Sequence, residues 1–97
     1  TGGSAAEPAE PAEAASGWNI QIGAFPSVED ANAQLAVARR TASMSLTHTR
    51  AMSQEVQSGE MTIYRARFTG LSEKQARAAC RTLESKGRDC LLLQPQS

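Results

Sequence analysis

The chain has 97 residues, which is enough for one domain and too few for a second hydrophobic core. It contains 10 basic and 10 acidic side chains, so its formal net charge is zero. This balance lacks the dense basic stripe that neutralises phosphates, and no nucleic acid partner is expected. No apolar run is long enough to span a bilayer, so this fragment is not expected to insert into a membrane.

The first 17 residues, TGGSAAEPAEPAEAASG, contain no large apolar side chain. Such a segment cannot offset the entropy of ordering, so residues 1–17 are predicted to form a disordered Ala/Glu/Pro linker. Proline stiffens the chain and the glutamates repel one another, as in a semi-rigid spacer that follows an N-terminal host domain. A frayed terminus or an expression remnant at TGGS is the alternative. Residues 18–97 are predicted to be the folded domain.

Apolar and polar residues alternate over Trp18–Phe25 (WNIQIGAF), as in a half-buried strand. The large apolar residues share one face of this strand, and Gln21 lies on the other. A proline then ends the strand, and Ser27 with Asp30 predicts a helix cap. Apolar residues at helical spacing over 28–42 indicate a helix with a narrow, mostly alanine stripe that can lie close to a sheet.

The middle of the chain predicts a loop, two strands and a turn. Small polar residues over 41–45 favour the loop, and residues 46–56 predict a second strand whose register the pattern leaves open. Gln-Ser-Gly-Glu at 57–60 has turn chemistry and leads into a third strand over 61–68, which indicates a hairpin. In the third strand both arginines share one face, and the aromatic residues share the other.

A second helix and a last strand complete the predicted domain. Ser72 with Gln75 three residues later has the pattern of a capping box. Alanine, cysteine and leucine at helical spacing mark the buried side of the helix, and a lysine followed by Gly87 ends it. Residues 88–93 predict a short fourth strand.

The order β-α-β-β-α-β predicts an α+β fold of the ferredoxin or RNP type. Right-handed crossovers favour a four-stranded antiparallel sheet in the order 4-1-3-2, with two helices on one face. Strands one and three then lie side by side at the centre of the sheet. Gln21, Arg65 and Arg67 are therefore expected together on the face that the helices leave open.

These segments together resemble the SPOR domain, a module of bacterial cell-envelope proteins that binds peptidoglycan. The resemblance lies in the WNIQIGAF strand, in Ala31 and Ala76 of the two helices, and in the Tyr-Arg-x-Arg pattern at 64–67. The chain departs from the family at 69–71, where Thr-Gly-Leu stands in place of the usual Gly-Pro-Phe of a ligand-side turn. The third strand and the cysteines are also similar to a subgroup attached to alphaproteobacterial D-alanyl-D-alanine carboxypeptidases.

The resemblance implies a non-catalytic module that binds glycan strands lacking stem peptides and brings a host envelope protein to the division septum. The domain is then expected to be periplasmic and monomeric, and to need no cofactor. Amide and guanidinium groups at strand spacing suit the hydroxyl, acetamide and lactyl carboxylate groups of a bare glycan. The expected ligand-binding residues are Gln21, Gly23, Ala24, Phe25, Arg65, Arg67 and Leu91.

The polar residues of this set also have a plainer interpretation. Gln21 can be a solvated side chain, and Arg65 and Arg67 can form a solvated basic face or pair with Glu55 of the neighbouring strand. By parity, the aromatic residues of the central strands are expected to pack toward the helices. A slip of one residue would exchange the two faces.

Cys80 and Cys90 are the two cysteines of the chain. One lies on the inward side of the second predicted helix and the other in the adjacent last strand, so a disulfide is geometrically reasonable and would suit an oxidising compartment. Two buried thiols are the alternative, because free cysteine packs as a small hydrophobe. A metal site is not expected, since His48 is the single histidine and the cysteines lack C-x-x-C spacing.

Catalysis, RNA recognition and protein interaction are the alternatives to glycan binding. No catalytic motif is present, so enzymatic activity is not expected in this fragment. RNA recognition on such a sheet needs stacked aromatic residues on the central strands, and here these are expected to face the core. The main alternative is a protein-interaction or regulatory domain that docks on its host enzyme or on a division partner, because Leu91 and Leu93 would leave an apolar edge on the open face.

Overall fold

A computed structural model describes residues 17–95 of the chain. This part forms four strands and three helices: β1 (Trp18–Phe25), α1 (Val28–Thr41), α2 (Ser43–Leu46), β2 (Arg50–Ser58), β3 (Met61–Leu71), α3 (Glu73–Ser85) and β4 (Leu91–Leu93). The strands form one antiparallel sheet in the order β2-β3-β1-β4, which confirms the predicted α+β fold. The predicted linker lies outside the described residues, apart from Gly17.

The two central strands are β1 and β3, as predicted. β3 also pairs with β2 through the predicted hairpin, whose turn is at residues 59–60. β3 extends beyond its predicted end at residue 68 as far as Leu71, which pairs with Trp18 and is completely buried. The Thr-Gly-Leu segment at 69–71 is therefore part of the sheet, and the expectation of a ligand-side turn at this place is wrong.

Both long helices begin at the predicted serine caps. The Ser27 hydroxyl accepts a hydrogen bond from the Asp30 amide at 3.1 Å. Ser72 and Gln75 form a reciprocal capping box, in which each side chain accepts from the backbone amide of the other residue at 3.1 and 3.0 Å. These bonds satisfy amides that have no partner inside the helix, which explains where α1 and α3 start.

α3 ends in a Schellman motif. The amides of Gly87 and Arg88 donate to the carbonyl oxygens of Glu84 and Leu83 at 3.0 and 2.9 Å. Gly87 has a φ of 80°, a conformation that glycine adopts without steric cost. The turn directs the chain toward β4, which has 3 residues and is shorter than the strand predicted over 88–93.

The loop predicted over 41–45 is partly wrong, because most of it belongs to α2. A helix of 4 residues is too short to be stable alone, so tertiary contacts must hold it. Leu46 is completely buried, and the Arg39 guanidinium donates to the carbonyl oxygens of Leu46 and Thr49 at 2.9 and 3.1 Å. β2 consequently starts at Arg50 rather than at Leu46, and the described chain has three helices instead of two.

The hydrophobic core lies between the helices and one face of the sheet. Alanines on α1 and α3 let these helices approach the large side chains of the central strands. Burial alternates along β3, where Ala66 and Phe68 are buried and the arginines between and beside them are only half-buried. The buried apolar residues are Ile20, Ile22, Ala31, Leu35, Ala38, Ala42, Leu46, Ala66, Phe68, Leu71, Ala76, Ala79, Cys80 and Leu83.

A disulfide joins Cys80 of α3 to Cys90, which immediately precedes β4, with a Cα separation of 5.2 Å. It closes a loop with a sequence separation of 10 residues. Closing a loop of this size stabilises a domain by about 2 to 3 kcal/mol in the chain-entropy account. The bond ties the shortest strand of the sheet to the helix layer.

Candidate functional site

The sheet register identifies the side chains that point away from the helices. Partners on neighbouring strands point to the same side of a sheet. Gln21 lies opposite Arg67 on β3 and opposite Leu91 on β4, and Arg67 lies opposite Met52 on β2. We call these four residues the central row, and the side of the sheet opposite the helices the open face. The central row crosses all four strands.

A hydrogen bond joins the two polar members of the central row. Nε of Arg67 donates to Oε1 of Gln21 at 2.9 Å, and both side chains are half-buried. This bond uses one of the five N–H donors of the guanidinium and leaves the Gln21 amino group as a donor. The pair therefore has a defined orientation before any ligand arrives.

Arg65 belongs to a second row of the open face. It lies opposite Gln54 on β2 and Ala24 on β1. Arg65 and Arg67 are two residues apart on β3 and point to the same side. The centre of the open face thus carries two guanidinium groups flanked by amide side chains.

Neither guanidinium of the open face has a carboxylate partner in the part of the chain that the structure describes. The ion pair found there joins Arg77 and Glu73 on α3. Glu55, the partner considered from the sequence, lies in the row that points to the helix side of the sheet. Arg65 and Arg67 are therefore able to pair with an anionic group of a ligand.

β1 contains a bulge that determines where its last residues point. Ile22 has no partner on β3, and Gly23 lies opposite the buried Ala66. Ala24 returns to the open face, whereas Phe25 packs against the core. A Cβ atom on Gly23 would lie 2.8 Å from Cζ of Phe25, so a larger residue at this position would force the Phe25 ring to move.

The structure divides the seven expected ligand-binding residues into two groups. Gly23 and Phe25 point to the helix side at the end of β1 and line a cleft there, which Ala24 also borders. The other five meet on the open face: Gln21, Ala24, Arg65, Arg67 and Leu91.

Two residues of the open face, Met52 and Gln54, were not expected from the sequence. The alternation along β2 is weak, so the sequence pattern does not specify its register. Counting strand pairs back from the turn at 59–60 would have placed Met52 opposite Arg67 and Gln54 opposite Arg65.

The described residues contain neither a cluster of metal-ligating side chains nor a membrane-spanning helix. Between residues 17 and 95, no three His, Cys, Asp or Glu side chains are grouped so that they could hold a metal ion. The helices of the same range are too short or too polar to cross a membrane. The side chains that the register places on the open face carry amide, guanidinium and apolar groups.

The fold and this face define a small α+β binding module with an uncovered sheet. The family model described as the SPOR domain matches residues 14–94, and the chain therefore belongs to the SPOR domain family. The resemblance inferred from the strand motifs is thus confirmed. No curated protein sequence is significantly similar to the chain.

Two solved structures share the fold. The SPOR domain of RlpA from Pseudomonas aeruginosa has a TM-score of 0.61 and 17% identity, over 81% of this chain and 100% of that chain. The peptidoglycan binding domain of the B. subtilis cell wall lytic enzyme CwlC has a TM-score of 0.56 and 16% identity, over 80% of this chain and 87% of that chain. At such identities the likeness establishes the architecture rather than the ligand.

Proposed function

We propose that this domain binds peptidoglycan through the open face and prefers glycan strands that lack stem peptides. The observation that carries the proposal is the Gln21–Arg67 pair beside Arg65, where neither arginine has an acidic partner among residues 17–95. Membership of the SPOR domain family supports it, as does the fold shared with a domain named for peptidoglycan binding.

The chemistry of a glycan strand matches the groups on the open face. The strand presents hydroxyl and acetamide groups, and each N-acetylmuramic acid also bears a lactyl group. Gln21 both donates and accepts hydrogen bonds, which suits hydroxyls and acetamides. The planar guanidinium groups of Arg65 and Arg67 suit the two oxygens of a carboxylate. Leu91 and Met52, at the two ends of the central row, offer apolar contact to sugar rings.

The preference for bare strands follows from charge. A stem peptide is joined to the lactyl carboxyl by an amide bond, so an intact strand has no carboxylate at that position. Amidase cleavage releases the carboxylate. A hydrogen bond between a guanidinium and a carboxylate is roughly twice as strong as a bond between neutral groups. The arginines therefore favour the strand after amidase has acted.

This function belongs in the cell envelope. The disulfide suits an oxidising compartment such as the periplasm. The domain would carry a host protein to the septum, where wall remodelling exposes bare strands. A host domain on the N-terminal side is predicted from the linker composition, and a carboxypeptidase host is predicted from the resemblance. The monomeric state is also a prediction.

The test is a pull-down of the domain with purified sacculi before and after amidase treatment. The bound fraction should rise after treatment. Gln21→Ala combined with Arg65→Ala should lower binding at least about tenfold, because charged and neutral hydrogen bonds to the ligand are lost. The melting temperature should not fall, since both side chains lie on the solvent side of the sheet.

Arg40→Ala is the matched control for charge. Arg40 is an exposed residue of the last turn of α1 and lies on the helix side of the molecule. Its replacement should leave binding unchanged. Equal binding to intact and amidase-treated sacculi would contradict the preference for bare strands.

A protein-interaction role is the second candidate. It is favoured by the exposure of Leu91 (54%) and Met52 (41%) at the two ends of the central row. Chemical-shift mapping with a bare glycan fragment separates the two roles. Shifts at Gln21 and Arg65 together with Leu91 would assign the apolar residues to the glycan, whereas an unperturbed Leu91 would favour a protein partner.

A further inference from the structure

A cleft opens where the fourth strand separates from the first. β4 pairs with β1 only from Asn19 to Gln21, although β1 continues to Phe25. Beyond Gln21, the last part of β1 and the chain at 86–89 line a cleft of about 490 Å³, which we call the edge cleft. Residues 23–25 have strand partners on β3, and none of residues 22–25 has a partner on the β4 side within the described chain.

The edge cleft is continuous with the open face. An adjoining space of about 350 Å³ shares Gly23, Arg88 and Asp89 with it and reaches Gln21 and Leu91 of the central row. At Gly23, where β4 has ended, the edge of the sheet is β1, which lies about one strand spacing, roughly 5 Å, from the β3 backbone. An extended ligand that crosses the strands at Arg67 therefore meets the edge cleft next.

Arg88 lies where the two spaces meet, and its side chain is held in place. Its Nη1 donates to Oε1 of Gln34 on α1 at 2.8 Å, and Arg88 is half-buried. Within residues 17–95 it has no ion-pair partner, although the exposed Asp89 and Glu84 line the same space. Gln34 is neutral and occupies one of the guanidinium donors, so Arg88 keeps its charge and its remaining donors for a ligand.

We propose that the edge cleft is a second subsite for the same glycan strand, in which Arg88 receives the lactyl carboxylate of an N-acetylmuramic acid. This inference rests on the proposed function and adds the path of the ligand. The strand runs across the sheet along the central row and turns over the edge of β1 at Gly23. Arg67 and Arg88 then bind carboxylates of two different sugars, while Asp89 and Glu84 accept hydrogen bonds from hydroxyl groups.

The path makes Arg88 a specificity residue for stem-free glycan. A stem peptide at the second sugar would convert its carboxylate into a neutral amide and would also have to fit inside the cleft. A strand stripped at both sugars therefore gains a second charge-assisted contact that an intact strand lacks.

The test is calorimetric titration of the full chain with soluble oligosaccharides. The first probe is a bare oligosaccharide of alternating N-acetylglucosamine and N-acetylmuramic acid that is long enough to carry several lactyl groups. The second probe is a chitin oligosaccharide of equal length, which has the hydroxyl and acetamide groups but no lactyl carboxylate. Arg88→Ala should weaken binding of the first probe about tenfold and leave binding of the second unchanged.

Two further measurements keep the result interpretable. Arg40→Ala removes the same charge elsewhere and should leave both affinities unchanged. If Arg88→Ala fails to fold, the wild-type chain is mapped by amide chemical shifts. The bare oligosaccharide should then shift Gly23, Gly87 and Asp89, and the chitin oligosaccharide should shift them less.

The outcomes separate the two proposals. If the wild-type chain binds no bare glycan, the proposed function fails and the subsite fails with it. If the wild type binds and Arg88→Ala binds equally well, or if shifts are confined to the open face, the subsite is rejected while the proposed function stands. An equal loss in Arg40→Ala would also reject it, because the effect would then be one of overall charge.

Discussion

At the centre of the open face, one hydrogen bond orients Arg67. The bond from its Nε to Gln21 Oε1 spans two neighbouring strands at 2.9 Å. Gln21 accepts this bond through its oxygen and keeps its amino group as a donor, so in the proposed function the two residues present their donors as a unit. Replacing either one changes what the other presents.

Gln21→Glu is predicted to weaken binding to amidase-treated sacculi at least about tenfold without loss of stability. A carboxylate at this position would pair with Arg67 and repel the lactyl carboxylate of the glycan. The free energy of unfolding, measured by urea denaturation, should stay level or rise by up to about 1 kcal/mol through the new ion pair. Asn32→Asp adds the same charge to an exposed position of α1 and should not alter binding. Undiminished binding by Gln21→Glu would show that Arg67 does not recognise a carboxylate.

Among the secondary-structure elements, the long and the short ones are stabilised by different interactions. α1 and α3 combine serine caps with apolar periodicity, and both signals are local in the chain. α2 has 4 residues and β4 has 3, so neither is stable without its neighbours. α2 depends on the burial of Leu46 and on Arg39, and β4 depends on pairing with β1 and on the disulfide.

Arg39→Ala is predicted to lower the free energy of unfolding by about 1 to 3 kcal/mol. It removes two hydrogen bonds to the backbone around α2 and the cation placed 5.1 Å from the centre of the buried Phe68 ring. Arg40 is the next residue and is exposed, so Arg40→Ala should change stability by less than about 0.5 kcal/mol. Urea denaturation of the two variants measures the difference. If both variants lost a similar free energy of unfolding, the effect would come from the charge at the end of α1 and not from the contacts of Arg39.

In the molecule as a whole, the sheet and the helix layer do not end at the same edge. The helices cover one face of the sheet, so the opposite face is free for a ligand. At the β4 edge the sheet stops after 3 residues while β1 continues, and the edge cleft forms there. The molecule therefore offers both a flat surface and a cleft that leads from it.

Removing residues 1–16 is predicted to leave the fold, the melting temperature and the glycan affinity unchanged. Every strand and capped helix of the described chain lies after Gly17, and the removed segment has no large apolar side chain. Amide NMR spectra and thermal unfolding of the two lengths of chain provide the measurement. A collapse of the dispersed spectrum would show that part of the folding unit lies in the predicted linker.

The residues of the open face and the edge cleft differ in how far the sequence predicted their positions. Gln21, Arg65 and Arg67 were placed on one face by alternation, because period two is a property of each strand alone. Met52 required the register of β2, whose own pattern is weak. The sequence pattern did not predict the position of Arg88. Its place in the edge cleft depends on the end of α3 and on the separation of β4 from β1.

By itself the sequence determined the order of the strands, the two long helices, the faces of β1 and β3 and the family of the domain. These features arise from short-range signals, namely side-chain alternation, serine caps and a glycine stop. Only the tertiary structure decided the bulge at Ile22, the helix that ends at Leu46, the pairing of Gln21 with Arg67 and the edge cleft. Each of these depends on contacts between residues that are distant in the chain, and no local pattern encodes the free energy of such contacts.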